Sequence, residues 1–166
     1  MQQWLGVLRF ITRDRTVYIP DTVHRELHNS VSYEPAIQSV LDADWITVHH
    51  STDLVFAKIF AHYSDRLAVG PTNLGECGVL AMGEFYNCEV VIDDATPRTI
   101  AEEKEIHVTA TVPLLCQAVR EKQLTLVMVE HLADDLLGGK YYLPFGPGGF
   151  RQHVLENGLL DYEDTL

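Results

Sequence analysis

Apolar residues recur at two different intervals along this chain, and the switching between them lays out its elements. Trp4, Leu5, Leu8 and Ile11 fall three to four residues apart, the stripe of a helix over residues 2–14. Residues 16–19 are rich in β-branched and aromatic types and predict a short strand. Pro20 then suits the first turn of a helix through about Asn29, with Val23 and Leu27 on one face. A helix over 33–43, a strand over 45–49 and an amphipathic helix over 52–63 follow. Gly70-Pro71-Thr72-Asn73 makes a turn into a helix that carries Glu76, Val79, Leu80, Met82 and Phe85. Val90, Val91 and Ile92 form an unbroken run of β-branched residues, expected of a strand covered on both faces in a parallel sheet.

Beyond that strand the alternation continues. Thr96-Pro97 reads as a helix start, with threonine as cap and proline at the first position. A strand over 106–109 and helices over 113–122, 125–137 and 150–156 complete the chain, punctuated by Gly138-Gly139 and Asn157-Gly158. Short strands alternating with helices predict an α/β fold with a short, mostly parallel sheet flanked by helices. With 166 residues and no repeat, linker or low-complexity tract, one domain over 1–166 is expected. Residues 161–166 form a flexible acidic tail in this reading.

Composition narrows the function. The 46% hydrophobic and 22% charged content is ordinary for a globular protein, and no apolar run reaches the length of a membrane span. The N-terminus lacks the basic start and small-residue cleavage site of a signal peptide. Cys77, Cys88 and Cys116 lack motif spacing and read as reduced thiols, so a cytoplasmic location is expected. A formal charge of −12 argues against a broad phosphate-gripping surface, although Arg9, Arg13 and Arg15 cluster near the start.

The candidate chemistry lies in carboxylates. Asp93-Asp94 follows the 90–92 strand directly, and working residues of open α/β sheets sit just beyond such strand ends. Glu76 opens the preceding helix, and Glu26 borders the buried stripe of the helix after Pro20. Each has an ordinary explanation. Asp93-Asp94 fits a polar turn, Asn73-x-x-Glu76 fits a capping box, and Glu26 fits a boundary glutamate reaching water. Together at one rim they would repel each other unless a cation lay between them, and Mg²⁺ or Mn²⁺ suits oxygen ligands. Acidic metal clusters of this kind serve phosphoryl chemistry by activating water and neutralising phosphodiester charge. His24-x-x-x-His28 has zinc-compatible spacing but lacks the glutamate of a zinc protease, and His49-His50 reads as a solvent-facing strand end. Arg98 and Thr96, just past the acid pair, are candidates to meet a phosphate, and Arg98 fits a solvated first-turn residue equally well.

The succession Ile19-Pro20-x-x-Val23-x-x-Glu26-Leu27, Asn73-Leu74-Gly75-Glu76 and Val91-Ile92-Asp93-Asp94 resembles the PIN-domain nucleases, most closely the VapC-like subgroup. The likeness continues through Val108-Thr109-Ala110-Thr111 and from Gly149-Phe150 to Leu160. It implies a PIN-like three-layer sandwich and Mg²⁺- or Mn²⁺-dependent cleavage of RNA, often as the toxin of a toxin–antitoxin pair. By position, Glu26, Glu76 and Asp94 match family acidic ligands with catalytic roles, and Asp93 stands as an adjacent fourth carboxylate for the metal. Family members begin with a strand ending in Asp. Here no acidic residue precedes Asp14, which follows a helix, so the resemblance implies an N-terminal truncation relative to the family or a lost ligand. Two readings follow: a PIN-like endoribonuclease with an RNA substrate and an antitoxin partner, or a PIN-derived module that binds RNA or protein without catalysis. A phospho-receiver also carries an acid pair at a strand end, but near the start of its chain. The apolar helix over 52–63 offers a surface on which two copies could pair.

Overall fold

A computed structural model describes residues 2–12, 14–139 and 141–165; Arg13 of the basic cluster and Leu166 of the acidic end lie outside them. The chain divides into two compact units, Met1–Thr109 and Ala110–Leu166. In the first, helix α1 (Gln2–Ile11) is followed by strand β1 (Val17–Pro20) and helix α2 (Asp21–Ser30). The expected helix over 33–43 resolves into a 3-10 turn (Pro35–Ile37) and a short α3 (Gln38–Leu41). Then come β2 (Ile46–His49), α4 (Leu54–Leu67), α5 (Leu74–Tyr86), β3 (Val90–Val91), α6 (Ala95–Glu103) and β4 (Val108–Thr109).

The fold class is α/β, and every strand pair is parallel, as the alternation predicts. The pairing is divided, however, between two two-stranded sheets. One joins β1 to β2 from Val17↔Ile46 to Pro20↔His49, and the other joins β3 to β4 through Val90↔Val108 and Val91↔Thr109. The β3 strand departs from expectation. Val90 and Ile92 are buried but Val91 is 48% exposed, so this strand is covered on one face only.

Two helix boundaries move for identifiable reasons. Asp53 caps α4 by accepting from the Val55 N–H at 2.6 Å, and the helix runs one turn beyond the expected Tyr63, to Leu67. Both Tyr63 and Leu67 are buried, so the apolar stripe pulls that last turn into the core. At α6 the cap is Asp94 rather than Thr96, which places Pro97 at the third helical position. Proline is tolerated there because the N–H groups of the first turn have no partner within the helix.

Helix α5 organises this unit. It packs on α4, α2, β1 and β3. Its residues Cys77, Leu80 and Ala81 join Tyr63, Val90, Ile92, Ile100, Ala101 and Ile106 in one buried cluster. Each large aliphatic side chain so buried stabilises the fold by about 1.5–3 kcal/mol. The close approach depends on glycine. A Cβ on Gly78 would lie 2.8 Å from Pro20 Cβ and also meet the Thr22 hydroxyl, while one on Gly83 would lie 2.6 Å from Ile106 Cγ2.

The second unit is helical, with α7 (Thr111–Arg120), α8 (Leu126–Gly138) and α9 (Phe150–Glu156). Thr125 caps α8, accepting from the Met128 N–H at 3.3 Å. Arg151 holds Glu130 through two N–H donors, at 2.8 and 3.1 Å, tying α9 to α8. The acidic end expected to be a flexible tail contains a 3-10 turn (Tyr162–Thr165), in which the Asp161 N–H donates to Asp164 at 2.9 Å.

Gly78→Ala tests how tightly α5 is seated. Alanine favours an isolated helix by about 1 kcal/mol, yet overpacking here is expected to cost about 1–3 kcal/mol. A fall in thermal midpoint of several degrees, at about 2–4 °C per kcal/mol, is the expected result by calorimetry.

Candidate acidic cleft

Three elements of the first unit bring candidate side chains to one cleft of about 360 Å³. The end of α4 supplies Arg66 and Leu67, the start of α5 supplies Asn73 and Glu76, and the start of α6 supplies Asp94, Ala95, Thr96 and Pro97. Glu76 sits in the first turn of α5, and Asp94 is the N-cap of α6, immediately past β3. Asp94 makes no side-chain capping bond, which leaves its carboxylate for the cleft. The two acids thus come together from positions far apart in sequence.

The capping box expected at Asn73-x-x-Glu76 does not form. Asn73 adopts a left-handed conformation (φ 64°) that turns its side chain away from the cap position. Its amide donates instead to the Leu67 carbonyl at 3.1 Å, clasping the α4–α5 turn. The role of cap passes to a residue 49 positions earlier: the Gly75 N–H donates to Glu26 Oε1 at 3.0 Å. A carboxylate there also suits the positive end of the helix dipole. Glycine at 75 lets the Glu26 carboxylate come this close, since a Cβ would sit 2.6 Å from Glu26 Oε2 and push that side chain aside.

Glu26 therefore stands beside Glu76 but is not among the residues lining the cleft, and neither is Asp93, which is exposed just after β3. Burial pushes the Glu26 carboxyl above its usual range, the Gly75 N–H pulls it down, and the nearby Glu76 charge pushes it up again. Glu76 and Glu26 thus interact electrostatically, as crowded carboxylates do.

Among the described residues, no group of three or more His, Cys, Asp or Glu side chains is arranged to hold a metal ion. The cleft offers two carboxylates. That donor set does not fit an all-protein cage, but it suits Mg²⁺, which is usually bound through one or two carboxylates together with water and phosphate oxygens.

The residue that sequence reading missed is Arg66. Its guanidinium donates to Glu103 at the end of α6 (2.9 Å), and its side chain lines the same cleft as the two acids. The helical stripe pointed to it only if α4 was carried past Tyr63. Of the other candidates, Thr96 lines the cleft and Arg98 is not among its lining residues. His24 and His28 meet edge-on, 4.5 Å between ring centroids, with no third ligand gathered among the described residues. His49 does not simply face water: its Nε2 lies 2.7 Å from the Tyr86 hydroxyl, and its ring packs on Phe56. Cys77 is fully buried, with its thiol pushed up by burial, and all three cysteines are free.

The Glu26 shift makes a measurable statement. Its proton is held more tightly in the folded chain than in the unfolded one. Its contribution to stability is therefore present below about pH 4.5 and lost as the pH rises through the raised value. Carboxyl NMR is expected to show Glu26 titrating above 4.5, and Glu76→Gln is expected to lower that midpoint by removing the neighbouring charge. An unchanged midpoint in the variant would separate the two side chains.

Comparison with known proteins identifies the family. A domain family described as a PIN domain (DUF3368) matches residues 5–145, a span that runs across both compact units. No curated protein and no solved structure matches the chain. No helix of the described residues is long and apolar enough to cross a membrane. With the family matched over most of its length, the chain belongs to the PIN domains, a family whose members are generally nucleases that bind nucleic acid.

Proposed function

We propose that this PIN domain is a VapC-like endoribonuclease dependent on Mg²⁺ or Mn²⁺, acting in the cytoplasm as the toxin half of a toxin–antitoxin pair. The observation that carries the reading is the meeting of Glu76 and Asp94, from two helix starts, in one cleft with a guanidinium. Glu76 and Asp94 would hold the metal, with Asp93 as the adjacent carboxylate. When bound, the metal would supply charge neutralisation on the phosphodiester and activation of water. Glu26 acts one step back. By fixing the Gly75 N–H it sets the start of α5, and with it the direction of Glu76. Asn73 does the same from the other side, through its bond to Leu67. The Thr96 hydroxyl at the rim is a donor for a phosphate oxygen or a ribose. An antitoxin protein and a second copy of the chain are the partners this reading implies.

A second reading has an observation of its own. With no group of three metal-ligating side chains among the described residues, a PIN-derived module that binds RNA or a protein without cutting also accounts for the cleft.

Two measurements distinguish them. In cleavage assays with Mn²⁺ and structured RNA, Asp94→Asn is expected to lose activity on the order of a hundredfold or more, the scale on which even outer-sphere changes act at metal sites. Equal cleavage by variant and wild type would remove the site assignment. Calorimetric titration with Mn²⁺ is expected to give micromolar binding that Asp94→Asn weakens; no measurable binding would favour the module without catalysis.

A further inference from the structure

A cleft walled by two carboxylates repels a phosphate, so any nucleic acid that enters it needs a cation from the protein as well as any metal. Among the described residues lining the cleft, Arg66 alone is basic. Its position is built rather than free. The Nη2 group donates to Glu103 Oε2 at 2.9 Å, joining the last turn of α4 to the last residue of α6, and the side chain keeps 36% exposure. A guanidinium carries five N–H donors in a planar fork, and this single bond to Glu103 leaves the others for a ligand. The fork matches a phosphate bidentately, which an ammonium does not.

We infer that Arg66 is the phosphate contact of this cleft, held in position by Glu103, and that it grips a single phosphate of the RNA that the nuclease reading supplies. Size supports a single contact: about 360 Å³ lies at the lower end of small-ligand sites, room for one phosphate and its sugar and not for a run of nucleotides. Charge supports the brevity of the contact, since a net −12 disfavours a long run of phosphate contacts. Glu103 is a positioning residue: it touches the guanidinium and orients it, and has no part in contacting the nucleic acid. The inference rests on the nuclease reading for its ligand class, but it concerns binding and not cleavage.

The test is fluorescence anisotropy with a labelled single-stranded RNA of mixed sequence, with Ca²⁺ at one fixed concentration in place of Mg²⁺ or Mn²⁺, across a series of monovalent salt concentrations. Each phosphate contact on a single strand contributes about 0.7 to the slope of log affinity against log salt. Arg66→Ala is expected to weaken binding about tenfold at low salt and to flatten the slope by about 0.7. Arg66→Lys is expected to keep the slope while losing part of the affinity, and Glu103→Gln to keep the slope with binding a few-fold weaker. A purely structural ion pair would give equal melting shifts for Arg66→Ala and Glu103→Gln with an unchanged salt slope, and that result overturns the inference. So does a wild-type protein with no salt-dependent RNA binding. The nuclease reading fails separately. If Asp94→Asn leaves cleavage intact while Arg66→Ala still flattens the slope, the phosphate contact stands and the site assignment falls. The converse pair of results keeps the site assignment and removes the phosphate contact.

Discussion

The hydrogen bond from the Gly75 N–H to Glu26 is the contact on which the cleft depends. Helix α5 begins with free N–H groups, as every helix does, and the nearest side chain able to satisfy them has turned away, since Asn73 is occupied with Leu67. The chain meets that need across 49 residues, and in doing so fixes α2 against α5 at the level of Glu76. A neutral cap would satisfy the backbone equally well. A carboxylate adds negative charge beside Glu76, and both its burial and that neighbour disfavour its ionised form. The cap is therefore less comfortable than a serine or asparagine would be, a cost typical of sites where charge is concentrated for use.

Around that contact the packing leaves little slack. Gly75, Gly78 and Gly83 bring successive turns of α5 against Glu26, against the end of β1, and against Val90 and Ile106. Glycine in a helix interior sacrifices about 1 kcal/mol of propensity, and three in 13 residues make α5 a poor helix in isolation. The buried cluster offsets this, with Leu80, Cys77 and Ala81 fully enclosed. Tyr63 is fully buried as well and bonds to Glu84; burial and that carboxylate together hold its phenol well above the usual range. The arrangement of Glu76 is thus set by packing on one side of α5 and by a hydrogen bond at its tip.

Much of this was readable in the residues. The parallel pairing, the positions of most helices, the start of α5 near Glu76 and the acid pair after β3 all follow from periodicity and turn chemistry. Four things were not. Pairing between strands is a long-range matter, so periodicity gave no sign that the sheet would divide into two pairs. Val91 has the composition of a doubly covered strand, yet it is half exposed, because residue type reports suitability for burial and not the presence of a covering element. The local pattern at Asn73 indicated a capping box, but a tertiary partner outcompeted it, a common override of local propensity. Arg66 was lost with the α4 boundary, because periodicity marks the middle of a helix far better than its ends.

The overall charge of the chain is best understood together with that arginine. A net −12 would seem to bar a polyanion, but screening confines the influence of distant surface charges to about 8–10 Å at physiological salt. Within that distance the balance is set by the cleft itself: Arg66 against Glu76 and Asp94, with Glu103 partly neutralising the guanidinium. Such a site is negative on balance and, on the proposed nuclease reading, would attract a divalent ion before it attracts RNA. An ion held there would reverse the local sign, and Arg66 would then add to an existing attraction. In that order of events the acidic surface would act as a filter, weakening indiscriminate binding along the backbone and leaving entry to strands that can present one phosphate to a cation and a guanidinium at once.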